Sequence, residues 1–150
     1  MIYPSSIQPD VELAAYLTDK VSVGLSDGTT EKVNVYSDWE RPTNGLPNDF
    51  IVVYINGGVD GVGMDANFAH GFIQVNLYSK MNDDGSVKKS RVKKLLEQFD
   101  SLLHKHATEN YYFEYASPQF ITPTTPNQST GYSVTSLNIE WHTINNFNNS

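Results

Sequence analysis

Hydrophobic and polar positions alternate most regularly in the segment 68–79. Within it, the odd-numbered positions hold apolar side chains: Ile73, Val75 and Leu77. The even-numbered positions hold a mixture of aromatic and polar side chains: Phe72, Gln74, Asn76 and Tyr78. A period of two places successive side chains on opposite faces of a sheet. The segment is therefore predicted to be a strand with one fully apolar face and one semi-apolar face.

The residues after this strand predict the longest helix of the chain. A polar turn at 82–86 is followed by apolar residues at three- and four-residue spacing: Val92, Leu95, Leu96, Phe99, Leu102 and Leu103. Such a stripe covers one side of a helix, which is predicted here over 87–106. Ser86 precedes it as the predicted N-cap.

A shorter helix is predicted near the start of the chain, over 9–23. Pro9 and Asp10 suit its first turn, because proline fits the first helical position and a carboxylate is favoured at the positive end of the helix dipole. Apolar residues continue at helical spacing as far as Val21. Gly24 can end this helix.

Four further apolar or alternating segments are predicted to be strands, at 31–39, 50–55, 111–116 and 132–144. The strand at 50–55 and the one at 68–79 are expected to form a hairpin. The glycine-rich segment 56–67 and the proline-rich segment 117–131 are predicted to be long loops. In the last strand, the apolar residues occupy positions of one parity at its start and of the other parity farther along. A bulge near Thr135 or Ser136 would bring them onto one face.

Together these elements predict an α+β fold, because helices do not alternate with every strand. The expected architecture is a mostly antiparallel sheet of about five strands, with one long helix packed on a face and a short N-terminal helix. Residues 1–150 suit a single domain. Within it, 1–8 is expected to be a flexible arm and 146–150 a flexible tail.

Composition narrows the classes of function. The formal net charge is −7 and there is no cysteine, which excludes disulfides, thiolate nucleophiles and cysteine metal sites. No apolar run approaches the roughly 20 residues of a membrane-spanning helix, so no membrane partner is expected. An acidic surface also disfavours bound nucleic acid, because phosphate neutralisation needs clustered Lys and Arg.

Half of the basic side chains lie within seven residues at the start of the long helix: Lys88, Lys89, Arg91, Lys93 and Lys94. Positive charge there opposes the helix dipole. The plain interpretation is a solvated helix face. The functional interpretation is contact with an acidic surface, either of a neighbouring copy or of another protein. Direct DNA contact is less well supported, since no aromatic platform accompanies the cluster.

Neither of two loop-like motifs has the residues that its chemistry needs. The segment GGVDGVG at 57–63 lacks the Gly-Lys-Ser/Thr ending that opens a helix in a phosphate loop. The turn at 82–86 has a glycine too early for a calcium loop, and lysines stand where acidic ligands belong. A flexible connection and a helix-capping turn explain the two segments.

The four histidines do not predict a metal or catalytic site. His104 and His106 are two residues apart, so on a helix their side chains would point about 200° apart. His70 and His142 lie in predicted strands and could be neighbours. No catalytic, cofactor-binding or metal-binding residue is therefore assigned, and the chain is not expected to be an enzyme.

Contact surfaces are the remaining candidates for function. The semi-apolar face of the strand at 68–79 suggests a sheet covered on both faces, by the long helix on one and by another subunit on the other. Besides the basic cluster, the residues expected to contact a subunit or partner are Gly57, Asp60, Asp65, Phe72 and Tyr78.

The chain as a whole resembles a known family. A short helix is followed by the strand VNVYSDW, the strand FIVVYI, and a strand–turn–helix running from VNLYSK to RVKKLLEQF, and the last strand is SVTSLNIEWHTI. This order, over about residues 9–145, resembles the tail terminator (tail completion) proteins of long-tailed bacteriophages and related neck proteins.

The resemblance implies a structural virion protein of the tail or neck, assembled in the host cytoplasm. Members form a hexameric ring that caps the tail tube, ends its polymerisation and joins it to the head. The implied partners are further copies of the chain, the tail tube protein and a neck, head-completion or connector protein. DNA passes through the ring without specific binding. The family carries no catalytic residues and no cofactor.

Two alternatives stand beside this interpretation. One is another head–tail connector, neck or tail-tube protein. The other, from a different class, is a small ligand-binding domain or enzyme whose site would lie near 56–67, with His70 or His142 contributing. It predicts a concave pocket with converging polar groups, whereas an assembly protein predicts flat, extended interfaces.

Overall fold

The computed structural model describes residues 8–144 apart from 26, 38–39, 63–64 and 116–120, and for the strand residues 56–62, 65–69 and 121–123 it describes the backbone. Residues 1–7 of the predicted arm at 1–8, and the whole predicted tail at 146–150, lie outside the described residues. Within them the chain forms α1 (Pro9–Leu17), β1 (Ser22–Gly24), β2 (Thr30–Lys32), β3 (Asn34–Ser37), β4 (Asp49–Val62), β5 (Asp65–Lys80), α2 (Lys89–Leu103), β6 (Lys105–Ala107), β7 (Tyr111–Glu114), β8 (Ile121–Asn127) and β9 (Tyr132–Thr143).

Seven strands form one mixed sheet, in the order β3-β4-β5-β9-β7-β6, with β8 also paired to β9. The β3–β4 pair is parallel, and the other pairs of this sheet are antiparallel. One edge of β9 pairs with β5 along its length, and the other edge is shared by β8 and β7. β1 and β2 form a separate antiparallel pair.

The predicted fold, a mostly antiparallel sheet of about five strands carrying one long helix, is therefore wrong. The additional strands β1, β2 and β6 have three residues each, too few for alternation to be recognised. β8 lies in the predicted loop 117–131 and contains two prolines, which argue against a strand. The parallel direction of the β3–β4 pair depends on how the connection between the two strands crosses the sheet. The pattern of residues does not indicate this path.

Both helices are shorter than predicted. α1 ends at Leu17 because Thr18 leaves the helical conformation, with ψ 131°, and Asp19 after it is left-handed, with φ 68°; β1 follows where the helix was expected. α2 ends at Leu103, after which the chain enters β6. Ser86 is not the N-cap, because its hydroxyl donates to Asp84 Oδ1 at 2.5 Å instead. In the described part of the chain, neither helix is long and apolar enough to cross a membrane.

The core lies between the two helices and one face of the sheet. The predicted helix stripe is confirmed, since Val92, Leu95, Phe99 and Leu103 are buried and Leu96 and Leu102 pack at the edge of the core. The alternation in β5 is also confirmed, because Ile73, Val75 and Leu77 are buried against the helices. This face orients α2 across the sheet.

The predicted bulge in the last strand is wrong. β9 pairs with β5 without interruption from Tyr132 to His142, and its odd-numbered residues from Ser133 to Thr143 are all buried, as is Ser136. Tyr132 and Val134 therefore lie on the opposite face of the sheet, the second face. The irregularity belongs to β8, between Thr122 and Thr125.

Candidate functional site

β4 and β5 continue as a two-stranded ribbon through the segment predicted to be a loop. Their ladder is regular as far as the Asn56–Phe72 pair, then resumes at Asp60–His70 and ends at Val62–Asp65. The predicted hairpin is confirmed, but the predicted long connection over 56–67 is wrong. The glycines of this segment accommodate the register shifts of a ladder. We call residues 56–62 and 65–69 the ribbon.

The neighbouring strands stop before the ribbon begins. β3 pairs with β4 as far as Val53, and β9 pairs with β5 only from His70 onward. The ribbon therefore carries β5 five residues beyond its last pair with β9, about 16 Å of extended chain. Among the described strands, none pairs with either outer edge of the ribbon. Open edges of this kind are ready templates for pairing with another chain.

Three of the predicted contact residues lie in this ribbon: Gly57, Asp60 and Asp65. Phe72 lies at its base, where its side chain is 41% exposed. Tyr78 lies six residues farther along β5, about 20 Å away. The structure therefore brings together four of the five and separates Tyr78 from them.

The basic cluster divides into one residue with an ion-pair partner and four lysines with none among the described residues. Arg91 Nε lies 2.9 Å and 3.1 Å from the two carboxylate oxygens of Asp49, and Ser79 Oγ donates to the same carboxylate at 2.7 Å. The Asp49 side chain is 3% exposed. The charge of Arg91 is thus neutralised inside the protein, and its guanidinium fastens α2 to β4.

The lysines of the cluster face outward. Lys89, Lys93 and Lys94 are exposed, and Lys88 is half-buried. In the described part of the chain, none of the four lies within ion-pair distance of a carboxylate. The first turn of α2 also contains no acidic residue, so these charges oppose the dipole without local compensation. They are available to an external anionic group.

A groove of about 660 Å³ runs beside α2, between the helix and strands β8 and β9. Its floor is apolar and includes Val92, Leu96, Phe99, Tyr115 and Leu137. Charged residues of α2 also line it: two lysines near the start of the helix and two acidic residues farther along, which are Lys89, Lys93, Glu97 and Asp100. We call this the α2 groove. Because its floor is apolar and its positive and negative charges lie at different positions along the helix, the groove suits a peptide segment more than a small ion.

The second face of the sheet carries an aromatic cluster. Phe50 and Tyr78 stack with ring centroids 4.7 Å apart, and Tyr132 meets Phe50 edge-on at 5.3 Å. Arg41 Nη1 lies 3.3 Å from the Tyr54 hydroxyl and 3.4 Å from the Tyr78 hydroxyl. The two hydroxyls are 3.2 Å apart.

This aromatic cluster borders a second cleft, of about 800 Å³, whose other walls include Pro42, Thr43, Leu46 and Asn127. The expectation that another subunit covers the second face does not apply at this end, because residues of the chain's own 41–46 segment lie against it. Tyr78 is accordingly engaged inside the protein, through its ring and its hydroxyl.

The histidines stabilise local structure. His70 and His142 are cross-strand neighbours, as expected, and His142 stacks on Tyr112 at 5.5 Å. His106 stacks on Tyr16 at 3.5 Å, and burial, together with the charge of Lys20, lowers the pKa of its imidazole. Within the described residues, no group of three or more His, Cys, Asp or Glu side chains is placed to hold a metal ion.

Comparison of the sequence with protein-family models finds none that matches, and comparison with curated proteins finds no significant match. The likeness to tail terminator proteins therefore depends on the order of elements and on the segment from VNLYSK to RVKKLLEQF.

Sequence reasoning missed the roles of Asp49, Arg41 and the α2 groove. Asp49 stands directly before a buried apolar run, and a carboxylate in that place signals a buried partner. Which basic residue supplies the partner depends on the packing of α2. Arg41 lies in a segment with no periodicity, and the groove is formed by residues from three elements. Neither leaves a local signal.

Proposed function

We propose that this protein is a structural virion subunit that assembles into a ring capping the phage tail tube, ends its polymerisation and joins the tail to the head or neck. The observation that carries the proposal is the ribbon, a two-stranded extension whose outer edges pair with none of the described strands. It is joined by the resemblance of the chain to tail terminator proteins. A connector, neck or tail-tube protein is the related alternative.

The physical chemistry of the ribbon favours association. An isolated two-stranded hairpin is only marginally stable in water, and its edges present unpaired N–H and C=O groups. A neighbouring chain that supplies hydrogen bonds or apolar contacts would stabilise the hairpin and pair the N–H and C=O groups of its edges. A contact between two different surfaces of identical subunits repeats from copy to copy, and it closes into a ring when the rotation permits.

The charge distribution supports the partners that the proposal needs. Outside the basic cluster, the chain has 17 acidic residues and only five basic ones. A ring with such a surface would let DNA pass without holding it, since tight binding requires clustered cations at the phosphates. Lys89 and Lys93, which line the α2 groove, would then meet an acidic surface of a neighbouring copy, and the other lysines of α2 would meet one of the tail tube protein or a connector. No cofactor and no membrane enter this function.

The native mass of the purified chain tests the ring. We expect a hexamer, about 100 kDa for six copies of the 16.8 kDa chain, that loosens between about 0.05 and 0.5 M salt as ionic contacts are screened. A variant in which Asn-Gly replaces residues 61–69 keeps the Asp60–His70 pair and shortens the ribbon. It should fold with an unchanged sheet and remain monomeric. If the shortened variant is still a hexamer, the ribbon is not needed for ring assembly.

The length of tail tubes tests the terminator role itself. Tube protein polymerised alone should give a broad length distribution, and addition of the ring should stop growth and leave a density at one end of each tube in electron micrographs. A protein that polymerises into tubes itself would be a tube subunit. One that binds only connectors and leaves tube growth unaffected would be a neck component.

Small-ligand binding is a second candidate function, and the cleft beside Arg41 favours it. Its volume lies within the usual range for ligand sites, and it is lined by Arg41 and Tyr78, whose guanidinium and hydroxyl lie 3.4 Å apart. Neither His70 nor His142 lines either of the two clefts described above, so this cleft is a different site from the one that the sequence suggested near 56–67. Titration with benzoate, followed by NMR, should perturb Tyr78 in the wild type and not in Arg41→Met. No perturbation in the wild type would dismiss the candidate.

A further inference from the structure

We infer that the α2 groove is the socket that receives the ribbon of a neighbouring copy. The inference rests on the proposed ring and names the two surfaces that would build it. Three features of the molecule support it: the composition of the ribbon, the lining of the groove, and the positions of the two within one subunit.

The ribbon is acidic and apolar. No Lys or Arg occurs between Pro42 and Ser79, and Asp60 and Asp65 give the ribbon a charge of −2. The rest of it consists mainly of glycine and apolar residues. A strand pair of this composition needs an apolar surface to lie on and cations near its tip.

The α2 groove has both properties. Its floor is apolar, and its volume of about 660 Å³ suits a few side chains rather than a bulky element. Lys89 and Lys93 line it near the start of α2 and have no carboxylate partner among the described residues. Glu97 and Asp100 line it farther along the helix. An acidic ribbon would therefore seat its charged part at the lysine end, which fixes its direction.

The positions of the two surfaces require a second copy. The ribbon leaves the sheet at the His70 end of β5. The lysine end of the groove is near Ser79, because Asp49 is paired with Ser79 in the sheet and bound by Arg91 of α2. Nine residues of β5 separate these points, about 30 Å, and the ribbon extends away from the groove. Ribbon and groove can thus meet only between copies, head to tail, which is the geometry of a ring.

Charge exchange between the two surfaces tests this contact. One variant carries Asp60→Lys and Asp65→Lys, and the other carries Lys89→Glu and Lys93→Glu. Each alone should lose the wild-type oligomer, because its own ribbon and groove then have the same sign. An equimolar mixture should recover it, since each variant's ribbon is complementary to the other's groove. The readout is native mass at low salt.

Lys88→Glu with Lys94→Glu is the matched control. It changes the charge of the same helix by the same amount, but neither lysine lines the groove, so the oligomer should persist. Circular dichroism and the unfolding midpoint check that every variant folds.

The outcomes separate the inference from the proposed function. If the wild type is a ring and both exchanged variants remain rings, the socket is wrong and the ring proposal survives. If only Lys89→Glu with Lys93→Glu dissociates and the mixture does not recover, the groove contacts something other than the ribbon, and the inference is again overturned. A wild type that stays monomeric up to roughly 1 mM, a concentration at which even a millimolar contact would be substantially formed, overturns the socket and the self-assembling ring together.

Discussion

Arg91 of α2 and Asp49 of β4 form a buried ion pair at the end of the sheet where α2 begins. Nε of Arg91 contacts both carboxylate oxygens, at 2.9 Å and 3.1 Å, and Ser79 donates to the same carboxylate. The Arg91 side chain is 25% exposed and that of Asp49 is 3% exposed. The pair fixes the start of the basic helix, which forms one wall of the α2 groove, against β4 and β5.

Arg91→Met should destabilise the protein, because it leaves the Asp49 charge buried without a cation. Breaking a fully buried pair costs about 3–5 kcal/mol, and the partial exposure of Arg91 lowers the expected loss to roughly 2–4 kcal/mol. Urea unfolding measures it. Arg91→Met combined with Asp49→Asn should lose less than the sum of the two single changes. Additive losses would show that the two side chains do not interact energetically.

The stability of the fold should decrease as the pH falls through about 6.5, in part because of His106. Its pKa is lowered from 6.5 by burial against Tyr16 and by Lys20. The unfolded chain therefore takes up a proton at a higher pH than the folded one. The contribution of neutral His106 is complete above pH 6.5 and declines below it until the folded imidazole is itself protonated.

Unfolding free energies at about pH 7.5 and pH 5 measure this effect. His106→Gln should show a smaller difference between the two pH values than the wild type. His104→Gln, at an exposed neighbouring position, is the control and should keep the wild-type difference. If both variants keep it, other groups are responsible for the pH dependence.

Gly71→Ala should destabilise the sheet beside the ribbon. A Cβ at Gly71 would lie 3.2 Å from the ring of its cross-strand neighbour Trp141, and Trp141 is fully buried with Tyr111 edge-on against it at 5.7 Å. The ring therefore has little room to move, and overpacking of this kind costs about 1–3 kcal/mol. A lower unfolding midpoint and a shifted tryptophan emission are the expected signals.

Gly24→Ala is the control for this prediction. Gly24 also lies in a strand, but no atom approaches within 4 Å of the position its Cβ would take. Its substitution should leave the unfolding midpoint close to that of the wild type. Equal effects of the two substitutions would mean that Trp141 is not the cause.

The elements with a long, regular pattern were predictable from the sequence. The stripe from Val92 to Leu103 predicted α2, and the alternation from Phe72 to Tyr78 predicted β5. In each case burial of one face requires a fixed period, and the period is written in the residues themselves.

The candidate site was predictable only in part. Sequence reasoning selected the lysines of α2 from their charge, and Asp60 and Asp65 as part of the glycine-rich segment 56–67. The structure places them on two surfaces at opposite ends of the sheet. Arg91 was selected with the lysines, but it is occupied by Asp49. Charge is a property of the residue, whereas its availability depends on which neighbour the fold brings within hydrogen-bonding distance.

What the sequence by itself determined is the set of surfaces that must be buried: one stripe of α2, one face of β5 and one face of β9. What only the tertiary structure decided is how those surfaces are completed, by the parallel β3–β4 pair, by β8 on β9 and by the continuation of β4 and β5 into the ribbon. The physical reason is the range of the interactions. Periodic burial depends on residues three or four positions apart, whereas strand pairing and the α2 groove depend on residues that are distant along the chain and meet only when it has folded.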